Sequence, residues 1–242
     1  MGWFEKIPLK LGSVGKLLVR EEEISLFSTN ENPYRILYAS DIHLSGGNSG
    51  KLIGQLAQAV SEARPQLILF GGDLVDNVEE LPALTECVRE LCSIAPVASV
   101  AGNHDRQAGL LKVQRAVEKG GGFWLGPESY FFKIGNRKVR VDGQLKPGSE
   151  SVETRLLCAH YPDIFQRAVD EGYRGVFAGH LHGCQFVFWG KEGKLFPGAW
   201  FYQWNGLRFR EGACSLFVSR GVSDSFPIRW NCPREVLLCK VY

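Results

Sequence analysis

The chain has 242 residues, 45% hydrophobic and 22% charged, a globular balance that excludes a disordered or collagen-like protein. Its formal net charge of +2 is too mild to point to nucleic acid. At this length a sizeable core can form without disulfide staples, and no apolar run reaches the ~18–20 residues that span a bilayer. From the N-terminus, Met1–Lys6 lacks the apolar stretch of a secretory signal. Lys6 stands where a myristoylation site needs Ser or Thr. Trp3, Phe4, Ile7, Leu9 and Leu11, interspersed with Lys6 and Lys10, have the composition of a segment resting on an anionic membrane surface. Pro8 interrupts any helix there and favours a docked strand or arm.

Tyr34–Ala39 reads as a strand, Lys51–Arg64 as a helix stopped by Pro65, and Gln66–Phe70 as a second, buried strand. A helix over Leu81–Ile94, a strand over Pro96–Val100 and a helix over Leu110–Lys119 follow. Tyr130–Ile134 and Lys138–Val141 flank Gly135-Asn136, a hairpin signal. Arg155–Ala159 and Gly175–Ala178 are short apolar runs, each ending at a histidine. Gln185–Trp189, Ser215–Ser219 and Val236–Val241 are strand-like. The pattern is α/β in the first half and β-rich in the second, without repeats or linkers, and is read as one domain over 1–242. Seven cysteines lie singly, without CxxC spacing, as expected of reduced thiols in a cytoplasmic protein.

The five histidines, His43, His104, His160, His180 and His182, all follow predicted strands. Asp41-Ile-His43 closes the first strand and Gly72-Asp73 the second. Gly102-Asn103-His104-Asp105 closes the third, and His160 and Gly179-His180-Leu-His182 close the next two. Alone, each group is an ordinary turn, helix cap or surface histidine. Together, at the carboxyl ends of five strands, they mark a site. Carboxylates, imidazoles and one amide oxygen suit Mn, Fe, Zn or Co better than Ca or Mg, and the set is large enough for two adjacent ions.

These blocks, with Gly72-Asp73-x-x-Asp76 and Gly179-His180-x-His182, resemble the signature of the calcineurin-like metallophosphoesterases over residues 41–183. Ser219-Arg220-Gly221, Pro227-Ile-Arg229, Cys232-Pro233-Arg-Glu235 and His160-Tyr-Pro162-Asp163 resemble a subgroup of small bacterial phosphodiesterases. The resemblance implies an α/β (α+β) fold, a four-layer β-sandwich of two mixed sheets flanked by helices, with a β-rich C-terminal part over 184–242. It implies two divalent ions, manganese first. One would be held by Asp41, His43, Asp73 and His182, the other by Asp73, Asn103, His160 and His180, with Asp73 bridging. His104 would stay off the metals as acid and charge stabiliser, oriented by Asp105. Two ions (about +4) against two ligand carboxylates and a bridging hydroxide leave roughly +1, suited to an anionic phosphoester.

The hydroxide would then attack phosphorus in a phosphodiester or pyrophosphate, small or lipid-linked. A phosphomonoesterase using the same centre, and a non-catalytic metal-binding scaffold, are the alternatives. Asp76 is either a partner for a metal histidine or a helix-start carboxylate. Cys184 stands where the subgroup often has glycine, as either an oxidation-sensitive thiol or an inert buried one. Arg106, Trp200 and Arg220 are the substrate-binding candidates, with Arg229 a further phosphate contact. The aromatic segment 197–204 is either sheet packing or an apolar wall beside the metals. The protein is expected in the cytoplasm, with peripheral contact to the inner face of the membrane as an option.

Overall fold

A computed structural model of the protein describes residues 10–11, 16–27, 32–147 and 154–242. The membrane reading of Trp3, Phe4, Lys6, Ile7 and Leu9 falls outside them. Lys10–Leu11 pairs antiparallel with Ile228–Arg229, the docked strand expected there.

From Tyr34 to Trp124 strands and helices alternate: Tyr34–Ala39, α1 (Ser49–Ala63), Leu67–Phe70, α2 (Leu81–Cys92), Val97–Ser99, α3 (Asn103–Lys119) and Phe123–Trp124. The four strands are adjacent and parallel. Leu67–Phe70 is buried throughout because helices cover one face of the sheet and a second sheet covers the other, so it is a continuous apolar run. α1 turns Leu52, Leu56, Ala59 and Val60 inward at helical spacing. It ends where Arg64 takes a left-handed conformation (φ 47°) ahead of Pro65.

Two more strands complete this sheet: Glu235–Val241 lies between Tyr34–Ala39 and the edge strand Leu18–Ile24. The second sheet runs Arg208–Glu211, Cys214–Val218, Gly175–Ala178, Thr154–Cys158, Arg137–Asp142 and Tyr130–Ile134. A short helix, α4 (Phe165–Asp170), packs on its outer side. The sheets meet over Ile36, Leu69, Val141, Leu156 and Leu237, with Phe177 stacked between Tyr38 and Phe217. The result is the expected four-layer α/β/β/α sandwich.

The predicted strands and helices match the structure to within a few residues, with two informative differences. α3 begins at Asn103 rather than near Leu110, because Gly109 (φ 108°) kinks the helix and breaks its apolar periodicity. The strand expected over Gln185–Trp189 runs over Val187–Lys191, since Cys184 and Gln185 both turn left-handed.

Glu235 opens the inserted strand and is fully buried between two arginines. Its carboxylate accepts from Arg20 Nε at 3.0 Å and from Arg220 Nε at 2.9 Å. Burial alone would raise this carboxyl; the two guanidiniums outweigh it and hold it below the ordinary glutamate range. Glu235→Gln should cost about 3–5 kcal/mol in denaturant unfolding, because it leaves buried charge unpaired. The wild-type contribution is full above the unfolded glutamate pKa and is lost as pH falls through the depressed folded value. A variant as stable as wild type would show that the pair adds nothing.

Candidate metal centre

Five strands end on one edge of the sandwich, and their following turns carry the chemistry. Asp41, His43, Asp73, His180 and His182 all have positive φ, from 47° to 69°. Non-glycine residues hold that conformation only where surrounding bonds fix it. Here Asp41 N–H donates to Gly72 O at 3.0 Å and His43 N–H to Asp73 O at 2.9 Å. Asp41 itself accepts from His180 N–H and from Ser40 Oγ. Gly102 is required by close approach: a Cβ there would stand 2.0 Å from Asp73 Oδ1.

The side chains converge as three groups, Asp41–His43–His182, Asp73–His160–His180 and, sharing His43, His43–Asp76–His104, each with its ligand atoms within 4.8 Å of one another. Asp73 Oδ2 lies between the first two, 3.8 Å from His43 Nε2 and 3.3 Å from His160 Nε2. Asn103 Oδ1 is 3.1 Å from His160 Nε2, and His180 Nδ1 is also 3.1 Å from that nitrogen. His182 Nε2 is 3.6 Å from Asp41 Oδ1 and 3.0 Å from the Ser225 hydroxyl.

Outer partners fix which ring nitrogens face inward. His160 Nδ1 lies 2.9 Å from Gly71 O, His182 Nδ1 3.2 Å from Ser223 O, and His43 Nδ1 2.7 Å from Asp76 Oδ1. Only a protonated Nδ1 can donate to these oxygens, so in the neutral rings the Nε2 lone pairs are left for the interior. His43 Nε2 is buried with no hydrogen-bond partner, and two ring nitrogens and an amide oxygen crowd together around His160. Converging lone pairs with so few donors among them fit divalent cations of the borderline class.

The electrostatics follow from the same geometry. Burial would raise the Asp73 carboxyl, but His160, the His104 N–H and His43 bring it down to about 2. Burial would lower His43 and His160; hydrogen bonds to Asp76 and Asp73, with the Asp41 charge, reverse that and raise both. His180 and His182 are lowered, chiefly by burial.

The expected orienting role of Asp105 is corrected. Its carboxylate accepts from Leu74 N–H at 2.8 Å, Val75 N–H at 3.2 Å and Gly102 N–H at 2.9 Å, pinning the start of α3 to the Asp73 turn. Asp76 takes the place beside His104, with Oδ1 3.0 Å from His104 Nδ1 and 2.7 Å from His43 Nδ1. One carboxylate oxygen thus clamps both His43 and His104. Asp76→Ala should weaken metal affinity about 10–100-fold, read by chelator competition. Unchanged affinity would reduce Asp76 to a helix-start carboxylate.

Arg220 is also corrected as a substrate candidate: its guanidinium is buried against Glu235. Arg229 is buried too, bonded to Asp224 and to the Ser223 and Arg220 carbonyls. Arg106 lines a cavity of about 710 Å³ that opens beside His160 and Tyr161. Trp200 packs on Trp189 and Phe196, away from the cavities that touch the histidines. Of segment 197–204, Trp204 packs against Phe165 and Phe209, while Tyr202 lines a 360 Å³ depression with His180 and His182. Burial pushes the Cys184 thiol up to about 11, the mark of an unreactive thiol.

Tyr161 escaped sequence reasoning. Its ring lies edge-on to both His160 and His180, and its hydroxyl donates to Asn103 Oδ1 at 3.2 Å. The only available signal was its place directly after His160.

The sequence model described as calcineurin-like phosphoesterase matches residues 34–184. The chain belongs to that family. It is thus a metal-dependent phosphoester hydrolase by descent. It is 28% identical over 261 aligned residues to phosphodiesterase YaeI of Escherichia coli (strain K12), covering 99% of this chain and 89% of YaeI. It is 24% identical to the metallophosphoesterase YkuE of Bacillus subtilis (strain 168), covering 88% of this chain and 80% of that one. Its fold is similar to that of TT1561 of Thermus thermophilus, with a TM-score of 0.53 at 11% identity over 86% of this chain and 99% of the other. No helix among the described residues is long and apolar enough to cross a membrane.

Proposed function

We propose that the protein hydrolyses a phosphodiester or pyrophosphate bond at a centre of two divalent ions. The observation that carries this reading is Asp73 Oδ2, placed between two separate histidine groups whose ring nitrogens face carboxylates and one another. Asp41, His43, Asp73 and His182 would hold one ion, and Asp73, Asn103, His160 and His180 the other. Mn, Fe, Zn or Co suits this donor set, and manganese is the first to test. When bound, such a pair supplies an acidified water and positive charge toward the phosphoryl oxygens.

The chain's own residues do the rest. Gly71, Ser223 and Asp76 fix the tautomers of three ligand histidines, keeping their lone pairs aimed inward. His104 has its Nδ1 on Asp76 and its side chain partly exposed, leaving Nε2 to meet substrate. That nitrogen is the acid for the leaving oxygen, and Asp76 orients the ring through its Nδ1. Asp105 acts at one remove, by holding the Asp73 turn and the first turn of α3 together. The name of YaeI, phosphodiesterase, supports the choice of diester over monoester.

The test is hydrolysis of a bis-aryl phosphate diester against the matching aryl monoester by the manganese-loaded protein. Faster turnover of the diester is expected. A strong monoester preference would make it a phosphomonoesterase, and metal-dependent silence on both would leave a scaffold.

A further inference from the structure

We propose that an exposed aromatic face beside the metal centre docks onto the surface of a lipid bilayer bearing anionic headgroups. Thirteen large apolar side chains are exposed among the described residues, and six of them, Phe188, Trp189, Trp200, Phe201, Tyr202 and Phe226, gather here. Single exposed apolar side chains are ordinary; a contiguous cluster is not. Direct ring contacts join Trp189, Phe196 and Trp200, and Phe188, Phe201 and Tyr202 adjoin these along the chain. Trp189 stacks on Phe196 at 5.3 Å and meets Trp200 edge-on at 5.5 Å. Phe201 and Tyr202 continue from Trp200, and Tyr202 and Phe226 line one depression. Trp230, also exposed, is joined to the same hairpin by the Val187 N–H to Trp230 O bond of 2.9 Å.

The form of the face selects the occupant. Phe201 is 79% exposed, Trp200 65% and Phe188 60%, so these rings stand out from a hairpin and a turn with most of their surface in solvent. Protein hot spots instead seat their aromatics in packed pockets. Trp and Tyr carry a polar edge on an apolar body, the pairing that settles at a membrane–water boundary. Residues 186–211 add Lys191, Lys194 and Arg210 against Glu192 and Glu211, while Arg208 is taken up by Glu22, so the balance on this segment stays positive, the sign that suits anionic lipid.

Lys10–Leu11 pairs with Ile228–Arg229, directly beside Trp230 and two residues from Phe226, which ties this edge of the face to the body of the fold. Because Tyr202 and Phe226 share their depression with His180 and His182, a docked bilayer would lie at the mouth of the metal centre.

The docking does not depend on which phosphoester is cleaved. The test is co-sedimentation of the full chain with phosphatidylcholine vesicles, with and without phosphatidylglycerol. Partition onto the mixed vesicles is expected. The double variant Phe188→Ser/Phe201→Ser, at two exposed positions outside the metal centre, should reduce partition at least about tenfold. Its thermal midpoint and its bis-aryl phosphate hydrolysis should match wild type, which separates docking from folding. No partition by wild type, or equal partition by the variant, would overturn the proposal. A wild-type dimer that the variant turns into a monomer, without vesicle binding, would assign the face to a second copy instead. Wild-type silence on the diester would remove the phosphodiesterase reading and leave the vesicle result standing.

Discussion

Asp73→Ala is expected to empty both metal positions at once, from about two ions per chain to none, as measured by elemental analysis of the purified protein. The reason is geometric. Asp73 Oδ2 faces His43 on one side and His160 on the other, while Oδ1 accepts from His104 N–H at 2.8 Å. Removing this carboxylate withdraws the charge shared by two imidazole groups and frees the first turn of α3. Alanine at any other proposed ligand should weaken chiefly the group it belongs to. Retention of two ions in the Asp73 variant would break the bridge and, with it, the proposed division of ligands.

His104→Ala should act in the opposite manner, keeping both ions while lowering diester turnover by about 10²–10⁴-fold, the usual worth of a positioned acid. His104 Nδ1 is engaged by Asp76, and its side chain is far more exposed than those of His43, His160 and His182. Substrates with good aryl leaving groups need less protonation, so their loss should be smaller than that of alkyl esters. Loss of metal in step with turnover would make His104 a ligand. An undiminished rate would leave Asp76 clamping a bystander.

Much of this centre was legible in the sequence because its parts sit where short apolar runs stop. Asp41, Asp73, His160 and His180 follow strands that are buried on both faces and hence read as unbroken hydrophobic stretches. What remained hidden depends on contacts between distant segments. Asp105 and Asp76 are both acidic residues near a helix start, and nothing local shows that the first bonds three backbone N–H groups while the second serves two histidines. Arg220 has the composition of a phosphate contact but meets Glu235 across a strand boundary, so its charge is consumed internally. The strand Leu18–Ile24 was missed because Arg20, Glu21, Glu22 and Glu23 mask its alternation; it is an edge strand, exposed on one side.

The position of Glu235–Val241 has a bearing on how the molecule is made. This late segment is wedged between Leu18–Ile24 on one side and Tyr34–Ala39 on the other. On the ribosome, Leu18–Ile24 and one edge of Tyr34–Ala39 therefore stay without their final neighbour until nearly the whole of this sequence has emerged. The parallel core from Tyr34 to Trp124 can assemble beforehand, since its contacts are sequential, but Leu18–Ile24 must wait. A nascent chain halted before Glu235 would present an open backbone edge along Tyr34–Ala39, the surface most in need of chaperone cover during synthesis.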